Sequence, residues 1–274
     1  DPNDLTIPLC VDLDGTLMLP GDAIHPRDIE ALRVARERGV LVTIATGRLT
    51  SSTHPIARRL GFELPLLCAD GCVVACGATE RILKLSALPG VALTRSLELL
   101  AELELATFIF TADSIHSCLR GAVFHPYMRG WAETITAHDN VRTGADPAAA
   151  VMLLGIGAQA QVAHALGALA AHAEVIDVTT FESGGQHVLR IAPSGTSKGA
   201  ALAALATELG VARENVAVAG DFWNDLSMFA YAGRSFAMPH APEEVRRAAT
   251  HPLDHDVAKH GAFADALEAW LDGG

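Results

Sequence analysis

Basic residues are scarce in this chain. Its 274 residues include 20 Lys and Arg against 32 Asp and Glu, a formal net charge of −12, and no basic run exceeds a pair. That excludes a nucleic-acid groove, which needs a basic stripe. A small phosphorylated molecule stays open as a partner, because a metal and one lysine can invert the local field. Long apolar runs are missing as well: hydrophobic residues make up 50% of the chain, yet no stretch reaches the length of a transmembrane helix. The opening Asp1-Pro2-Asn3-Asp4 is polar and is read as carrying no signal peptide. Cysteine is sparse and odd in number, at five, which suits reduced thiols in a cytoplasm. Cys68, Cys72 and Cys76 recur every four residues, a spacing that matches no common zinc signature, and are read as core thiols. Internal repeats and low-complexity segments are absent.

What is present centres on Val11-Asp12-Leu13-Asp14-Gly15-Thr16-Leu17. Two carboxylates follow an apolar run, Ile7 to Val11, broken only by Pro8, that reads as a buried strand. Gly-Thr then turns the chain. Asp12 and Asp14 are therefore expected at the carboxyl end of a strand, where open α/β sheets hold ligands. Like charges this close cost less with a cation between them, and Mg²⁺ takes oxygen ligands of this kind. The plain alternative is a solvated Asp-Gly turn.

The segments that follow alternate. Pro26 opens a helical pattern through Ile29, Leu32 and Ala35 that Gly39 closes, Pro inside the start and Gly past the end. Val40 to Ala45 is the next strand, ending in Thr46-Gly47-Arg48, with a helix from near Thr53 to Leu60. This alternation predicts βαβ units and a parallel sheet. Leu66–Ala69, Asp70-Gly71 and Cys72–Val74 read as a hairpin, and Arg81–Leu85 as a further strand. From about Leu88 the texture changes. A helix over Thr94–Leu103, strands at Thr107–Phe110 and His116–Leu119, a helical reading of Phe124–Ile135 weakened by Gly130, and a loop at Asn140–Pro147 come first. A strand at Val151–Leu154, a helix at Gln159–Ala171 and strands at Glu174–Val178 and His187–Ile191 complete a small α+β unit. The first style returns after Pro193, with a helix from Lys198, a strand Val216–Ala219 running into Gly220-Asp221, a helix begun by Phe222–Met228, a strand at Arg234–Ala237 and helices near Glu243 and Ala262. The expected architecture is a doubly wound α/β core of residues 1–85 and 190–274 with an α+β insert of residues 86–189.

Four polar segments stand at strand ends or a helix start: Asp12/Asp14, Thr46-Gly47, Lys198 and Asp221/Asn224/Asp225. Together, carboxylates can hold Mg²⁺, while a lysine, a hydroxyl and backbone N–H groups cradle a phosphoryl group. One carboxylate can then attack phosphorus. VDLDGTL at 11–17, ATGR at 45–48, SGTSKG at 194–199 and GDFWNDLSM at 220–228 resemble, in order and spacing, the haloacid dehalogenase superfamily of phosphatases and its Cof-like subfamily. The resemblance implies a Rossmann-like core with a C2-type cap and Mg²⁺-dependent hydrolysis of a small phosphorylated metabolite. The substrate would be of the sugar phosphate, pyridoxal phosphate or flavin mononucleotide class. It makes Asp12 the nucleophile and Asp14 the acid and base. Thr46, Gly47, Lys198 and Asn224 would hold the phosphate. Asp12, Asp221 and the Asp14 carbonyl would ligate the metal, and Asp225 would support it. The resemblance falters at Asp70-Gly71, where the family often has Asn-Gly.

Rival readings exist. Gly155-Ile156-Gly157-Ala158-Gln159-Ala160, with Asp177 further on, follows the dinucleotide fingerprint and would make an oxidoreductase. Small residues packing helix on sheet explain the same letters. A non-catalytic metabolite-binding regulator could use the same scaffold. A phosphomutase would share the chemistry but usually carries its cap earlier in the chain. Glu182, Ser183, His187, Arg129 and Trp131 are the candidates for substrate selection.

Overall fold

The computed structural model describes residues 9–144 and 146–272. The polar opening tetrapeptide and the first two residues of the expected Ile7–Val11 strand lie outside them. In chain order the elements begin with β1 (Leu9–Val11), α1 (Pro26–Glu37), β2 (Val42–Ile44), α2 (Thr50–Leu60), β3 (Leu66–Cys68), β4 (Val73–Ala75) and β5 (Ile82–Leu85). Next come α3 (Gly90–Glu102), β6 (Ala106–Phe110), β7 (Ser114–Cys118), the one-turn α4 (His125–Met128), β8 (Thr134–His138), the short α5 (Val141–Gly144), β9 (Met152–Gly157), α6 (Gln159–Leu169), β10 (Ile176–Ser183) and β11 (Gln186–Pro193). The chain closes with α7 (Lys198–Glu208), β12 (Ala217–Gly220), α8 (Leu226–Tyr231), β13 (Arg234–Ala237), α9 (Glu243–Ala248), β14 (His251–Pro252), α10 (Val257–His260) and α11 (Ala262–Asp272).

Five strands form one parallel sheet in the order β14-β13-β12-β1-β2. Because successive side chains alternate, Leu9 and Val11 pack on one face with Leu32 of α1 and Phe263 and Leu267 of α11. Cys10 packs on the other with Leu202 and Leu205 of α7 and Met228 of α8. The short strands read as continuous apolar runs because helices cover both faces. The strand order reverses at β1, which has β2 on one side and β12 on the other. Such a switch point opens a crevice at the strands' carboxyl ends.

The second sheet, β10-β11-β9-β6-β7-β8, is antiparallel except for the parallel β7–β8 pair. Helices α3 and α6 cover one face through Leu97, Leu100, Val162 and Leu169. On the other face Phe108, Phe110 and Leu154 join the cluster that holds Leu49. The Leu49 N–H donates to the Trp131 carbonyl at 2.7 Å and the Thr50 N–H to the Ala112 carbonyl at 3.0 Å. These contacts give orphan donors at the start of a helix their partners, so α2 begins at Thr50 rather than near Thr53.

The helix expected over Phe124–Ile135 is not formed. One turn, α4, is followed by β8, whose alternating Thr-Ile-Thr belongs to a half-buried edge strand; β-branched residues favour it. The loop expected at Asn140–Pro147 contains α5, and its Ala145 lies outside the described residues. β10 continues to Ser183, past the expected end at Val178, because it stays paired with β11 along its whole length. The dinucleotide letters do other work. A Cβ on Gly155 would meet Leu100 at 2.9 Å and one on Gly157 would meet Leu105 at 2.4 Å. Asp177 accepts from the Gly195 N–H at 2.9 Å, and β11 lies between β9 and β10. The three spaced thiols form no metal cluster among the described residues; Cys68 and Cys72 are buried and Cys76 is partly exposed.

Asp28 of α1 ties the two ends of the chain together. It is fully buried, and its Oδ1 accepts from the Ala264 N–H at 2.8 Å in the first turn of α11. Its Oδ2 has no hydrogen-bond partner among the described residues. Burial pushes its carboxyl up to about 6, against the opposing pull of the Ala264 N–H and Arg27. The ordinary carboxyl value of the unfolded chain is about 4. Between these values the folded protein holds a proton that the unfolded chain has lost. Stability therefore falls as pH rises through that window, and the loss is complete above it. Asp28→Asn, which keeps the acceptor and has no proton to lose, is expected to flatten this fall relative to the parent and to gain about 1–2 kcal/mol at pH 7. Denaturant unfolding of both proteins across pH 4–8 checks it.

Candidate active site

β1, β2 and β12 end side by side, and each hands a polar loop to the crevice. Asp12 follows β1, its N–H donating to the Ala219 carbonyl of β12 at 3.0 Å. Thr46 follows β2, fully buried, its N–H donating to the Leu67 carbonyl at 2.8 Å. Asp221 follows β12. Lys198 opens α7 behind an N-cap, Ser197, whose hydroxyl accepts from the Ala200 N–H, a helix start that ties the lysine's backbone in place.

The lysine organises the rest. Its side chain is 1% exposed, and Nζ donates to Asp12 Oδ1 at 2.6 Å and to Asp225 Oδ1 at 2.7 Å. Asp225 Oδ2 accepts from the N–H groups of Asp221 and Phe222 at 2.9 and 3.0 Å. Asp221 Oδ1 accepts from the Thr16 hydroxyl at 3.1 Å, and its Oδ2 lies 3.1 Å from His240 Nε2. Two glycines make room. Gly15, at φ +85°, would place a Cβ 2.4 Å from Asp221, and Gly220 would place one 2.5 Å from Asp225.

Charge is unbalanced here. Burial pushes the Asp12 carboxyl well above the usual range, with Asp225 and Asp221 adding to the rise against the pull of Lys198. Burial also raises Asp225, against Lys198 and the Phe222 N–H. Burial works against the Lys198 charge, but Asp12, Asp225 and Asp70 outweigh it and hold the ammonium above its ordinary value. One ammonium thus faces three buried carboxylates. Asp12, Asp221 and Asp225 each offer an oxygen within 4.8 Å of the others. A hard divalent cation takes such oxygen ligands and would restore the balance, so the residues present fit Mg²⁺.

The other expected residues lie around this centre. The Asp14 carboxylate is not in the three-carboxylate group. It is half exposed and accepts from Arg48 Nε at 2.8 Å and Nη2 at 2.5 Å, while Nη2 also reaches Asp22 at 2.9 Å. Thr46 Oγ1 accepts from the Arg48 N–H. Asn224 Nδ2 donates to Asp70 Oδ1 at 2.9 Å. A cleft of about 720 Å³ opens beside Asp14, lined also by Asp22, Arg48, His240, Asp254 and Asp256. Thr16, Arg48, Asp70, Arg190 and His240 also reach this centre, and the sequence alone assigns them no role there. Thr16, Arg48 and Asp70 stand inside or beside the quoted motifs, whereas Arg190 and His240 leave no local signal. Of the selection candidates, Glu182 and His187 pair across the β10–β11 hairpin at 3.3 Å, and Ser183 accepts from the Tyr127 hydroxyl at 2.7 Å. Trp131 packs on Phe110 and Tyr127. Arg129 lines a separate cleft of about 460 Å³.

The sequence profile of the haloacid dehalogenase-like hydrolases matches residues 9–267. The chain belongs to that family. It is 27% identical to pyridoxal phosphate phosphatase YbhA of Escherichia coli, across 87% of this chain and 89% of that protein. It is 25% identical to the HMP-PP phosphatase of Klebsiella pneumoniae, across 95% and 94%. A haloacid dehalogenase-like hydrolase from Bacteroides thetaiotaomicron shares the fold, with a TM-score of 0.81 at 24% identity over 97% of this chain and 99% of that one. As in that family, a Rossmann-like parallel sheet forms the core. Among the described residues no helix is long and apolar enough to cross a membrane.

Lys198→Met leaves Asp12 and Asp225 without their ammonium. Breaking a buried pair in this way costs roughly 3–5 kcal/mol. The deficit is expected in full near pH 8 and to shrink toward pH 5, where the buried carboxyls take up protons. Urea unfolding at the two pH values measures it, and an equal deficit at both would contradict the charge balance described above.

Proposed function

We propose that the chain is a Mg²⁺-dependent phosphatase of a small phosphorylated metabolite that works through an aspartyl-phosphate on Asp12. The observation that carries this is the buried Lys198 bridging Asp12 and Asp225 with Asp221 alongside. Lys198 holds one oxygen of Asp12, leaving the other to attack phosphorus in line. Asp14, beside the open cleft, gives its proton to the leaving oxygen as the phosphorus–oxygen bond breaks. It then takes a proton from water, whose oxygen attacks the aspartyl-phosphate, frees orthophosphate and restores Asp12. To do so Asp14 exchanges one of its Arg48 contacts. Thr46, the Gly47 turn and Asn224 hold the phosphoryl oxygens. Mg²⁺, held by Asp12, Asp221 and the Asp14 carbonyl with Asp225 in support, would neutralise charge on the phosphoryl group.

Residues 1–85 and 190–274 serve as the catalytic core and residues 86–189 as a C2-type cap, with β11 carrying the cap sheet on to Pro193. Closing the cap excludes bulk water. The relatives' names support substrates of the pyridoxal phosphate and related metabolite class, and sugar phosphates and flavin mononucleotide belong in the same panel. A cytoplasmic location suits such substrates.

EDTA is expected to abolish phosphate release and Mg²⁺ to restore it. Ca²⁺ should not, because its longer, looser coordination misplaces the phosphoryl group; full activity in EDTA would contradict the metal's role.

Asp12→Asn removes the nucleophile and should be inactive on aryl and sugar phosphates alike, with no acid-stable labelled adduct. Asp14→Asn loses proton transfer, a role worth about a hundred- to ten-thousand-fold. It should keep more relative activity on an aryl phosphate, whose leaving group needs little protonation. Comparing kcat on both substrates, with acid-quench trapping, separates the roles. An Asp12→Asn protein that still turned over would instead fit another nucleophile, and a parent that bound metabolites without turnover would fit a regulator.

A further inference from the structure

A carboxylate stands among the residues proposed to hold the phosphate. The Asp70 N–H donates to the Thr46 carbonyl at 3.0 Å. Its Oδ1 accepts from Asn224 Nδ2, and a Cβ on Gly47 would lie 3.4 Å from that same oxygen. The turn that carries it is fixed. Ala69, Asp70 and Gly71 have φ of 49°, 53° and 89°, a left-handed conformation that Asp tolerates better than most residues. A Cβ on Gly71 would meet the Ser197 carbonyl at 2.3 Å, one residue before Lys198. Asp70 is thus locked against the Thr46 loop, the start of α7 and Asn224 at once. Its side chain is 13% exposed. Burial works against its charge, but Arg190, Lys198 and the Asn224 bond hold the carboxyl below its ordinary value. Alone, it would repel a phosphoryl dianion.

Arg190 faces it from β11. Its Nε lies 3.2 Å from Asp70 Oδ2 with 14% of the side chain exposed. That Nε makes no aligned hydrogen bond among the described residues, so the contact is one of charge. Buried Leu189 and Ile191 on either side fix the strand that presents it. We propose that Arg190 is a positioning residue of the phosphate site. It cancels the charge of Asp70, so that Asp70 can orient the Asn224 amide without setting a negative charge against the substrate. One N–H of that amide is taken by Asp70, and the second is left for a phosphoryl oxygen.

The proposal rests on the phosphatase reading above, and the test separates the two. Arg190→Gln, Arg190→Lys, Asp70→Asn and the double variant Asp70→Asn/Arg190→Gln are compared with the parent. The readouts are KM and kcat on p-nitrophenyl phosphate, Ki of inorganic phosphate and Tm. Arg190→Gln, with Asp70 uncompensated, should raise KM and Ki by roughly tenfold to hundredfold, with a smaller change in kcat. Arg190→Lys should recover most of that loss. The double variant, with neither charge, should return both constants to within about threefold of the parent. A merely structural pair would lower Tm in the double variant without restoring Ki. Unchanged constants in folded Arg190→Gln, or a double variant as impaired as Arg190→Gln, would overturn the proposal. If Arg190→Gln does not fold, the double variant decides: a parental Ki supports the proposal and a tenfold rise overturns it. A parent that releases no phosphate from any phosphomonoester would overturn the phosphatase reading itself.

Discussion

One ammonium shared between buried carboxylates governs the centre of this molecule. Lys198 Nζ touches Asp12 and Asp225, which arrive from opposite ends of the chain, and is almost wholly removed from water. Burying a charge is costly unless it is paired and its lone pairs are met. The surroundings meet them: two backbone N–H groups on Asp225 and a hydroxyl on Asp221. A residual excess of negative charge survives this pairing. The same excess that strains the isolated protein suits a site for a cation, which supplies the positive charge that the protein lacks and that an incoming phosphoryl group needs.

The parallel sheet makes that arrangement reachable. Because β2 and β12 flank β1 on opposite sides, three loops from distant parts of the sequence end at one crevice. Glycines at 15 and 220 let the backbone approach two carboxylates closely, where any side chain would collide. The second sheet is anchored beside this crevice by bonds from Leu49 and Thr50 to Trp131 and Ala112, immediately after Arg48. The start of α2 thus joins the second sheet to the segment that carries the arginine holding Asp14. Family kinship and geometry agree on the class of chemistry, while the fold by itself would not decide it.

Much of the fold was legible because its signals are local. The closure of α1 at Gly39 and of α2 at Gly61 came from residues whose backbone freedom is needed there. Misreadings fell where local signals were weak. Thr134–His138 is an edge strand with one half-buried face, so its alternation was faint and Gly130 looked like a flaw in a helix. β14 is too short to carry a period. The dinucleotide letters at 155–160 matched a pattern whose glycines here only clear space for Leu100 and Leu105.

By itself the sequence determined most of the strands and helices, those with a clear period or turn, and which polar residues stand at strand ends. Periodicity and turn chemistry are properties of neighbouring residues, and they place Asp12, Thr46, Lys198 and Asp221 without knowledge of the whole. Only the tertiary structure decided which of these groups touch. It turned the Asp14 carboxylate toward Arg48, set His240 on Asp221, and brought Arg190 from another sheet to Asp70. Such contacts depend on where distant segments cross, and an ion pair between residues far apart leaves no period, spacing or turn in the chain that announces it.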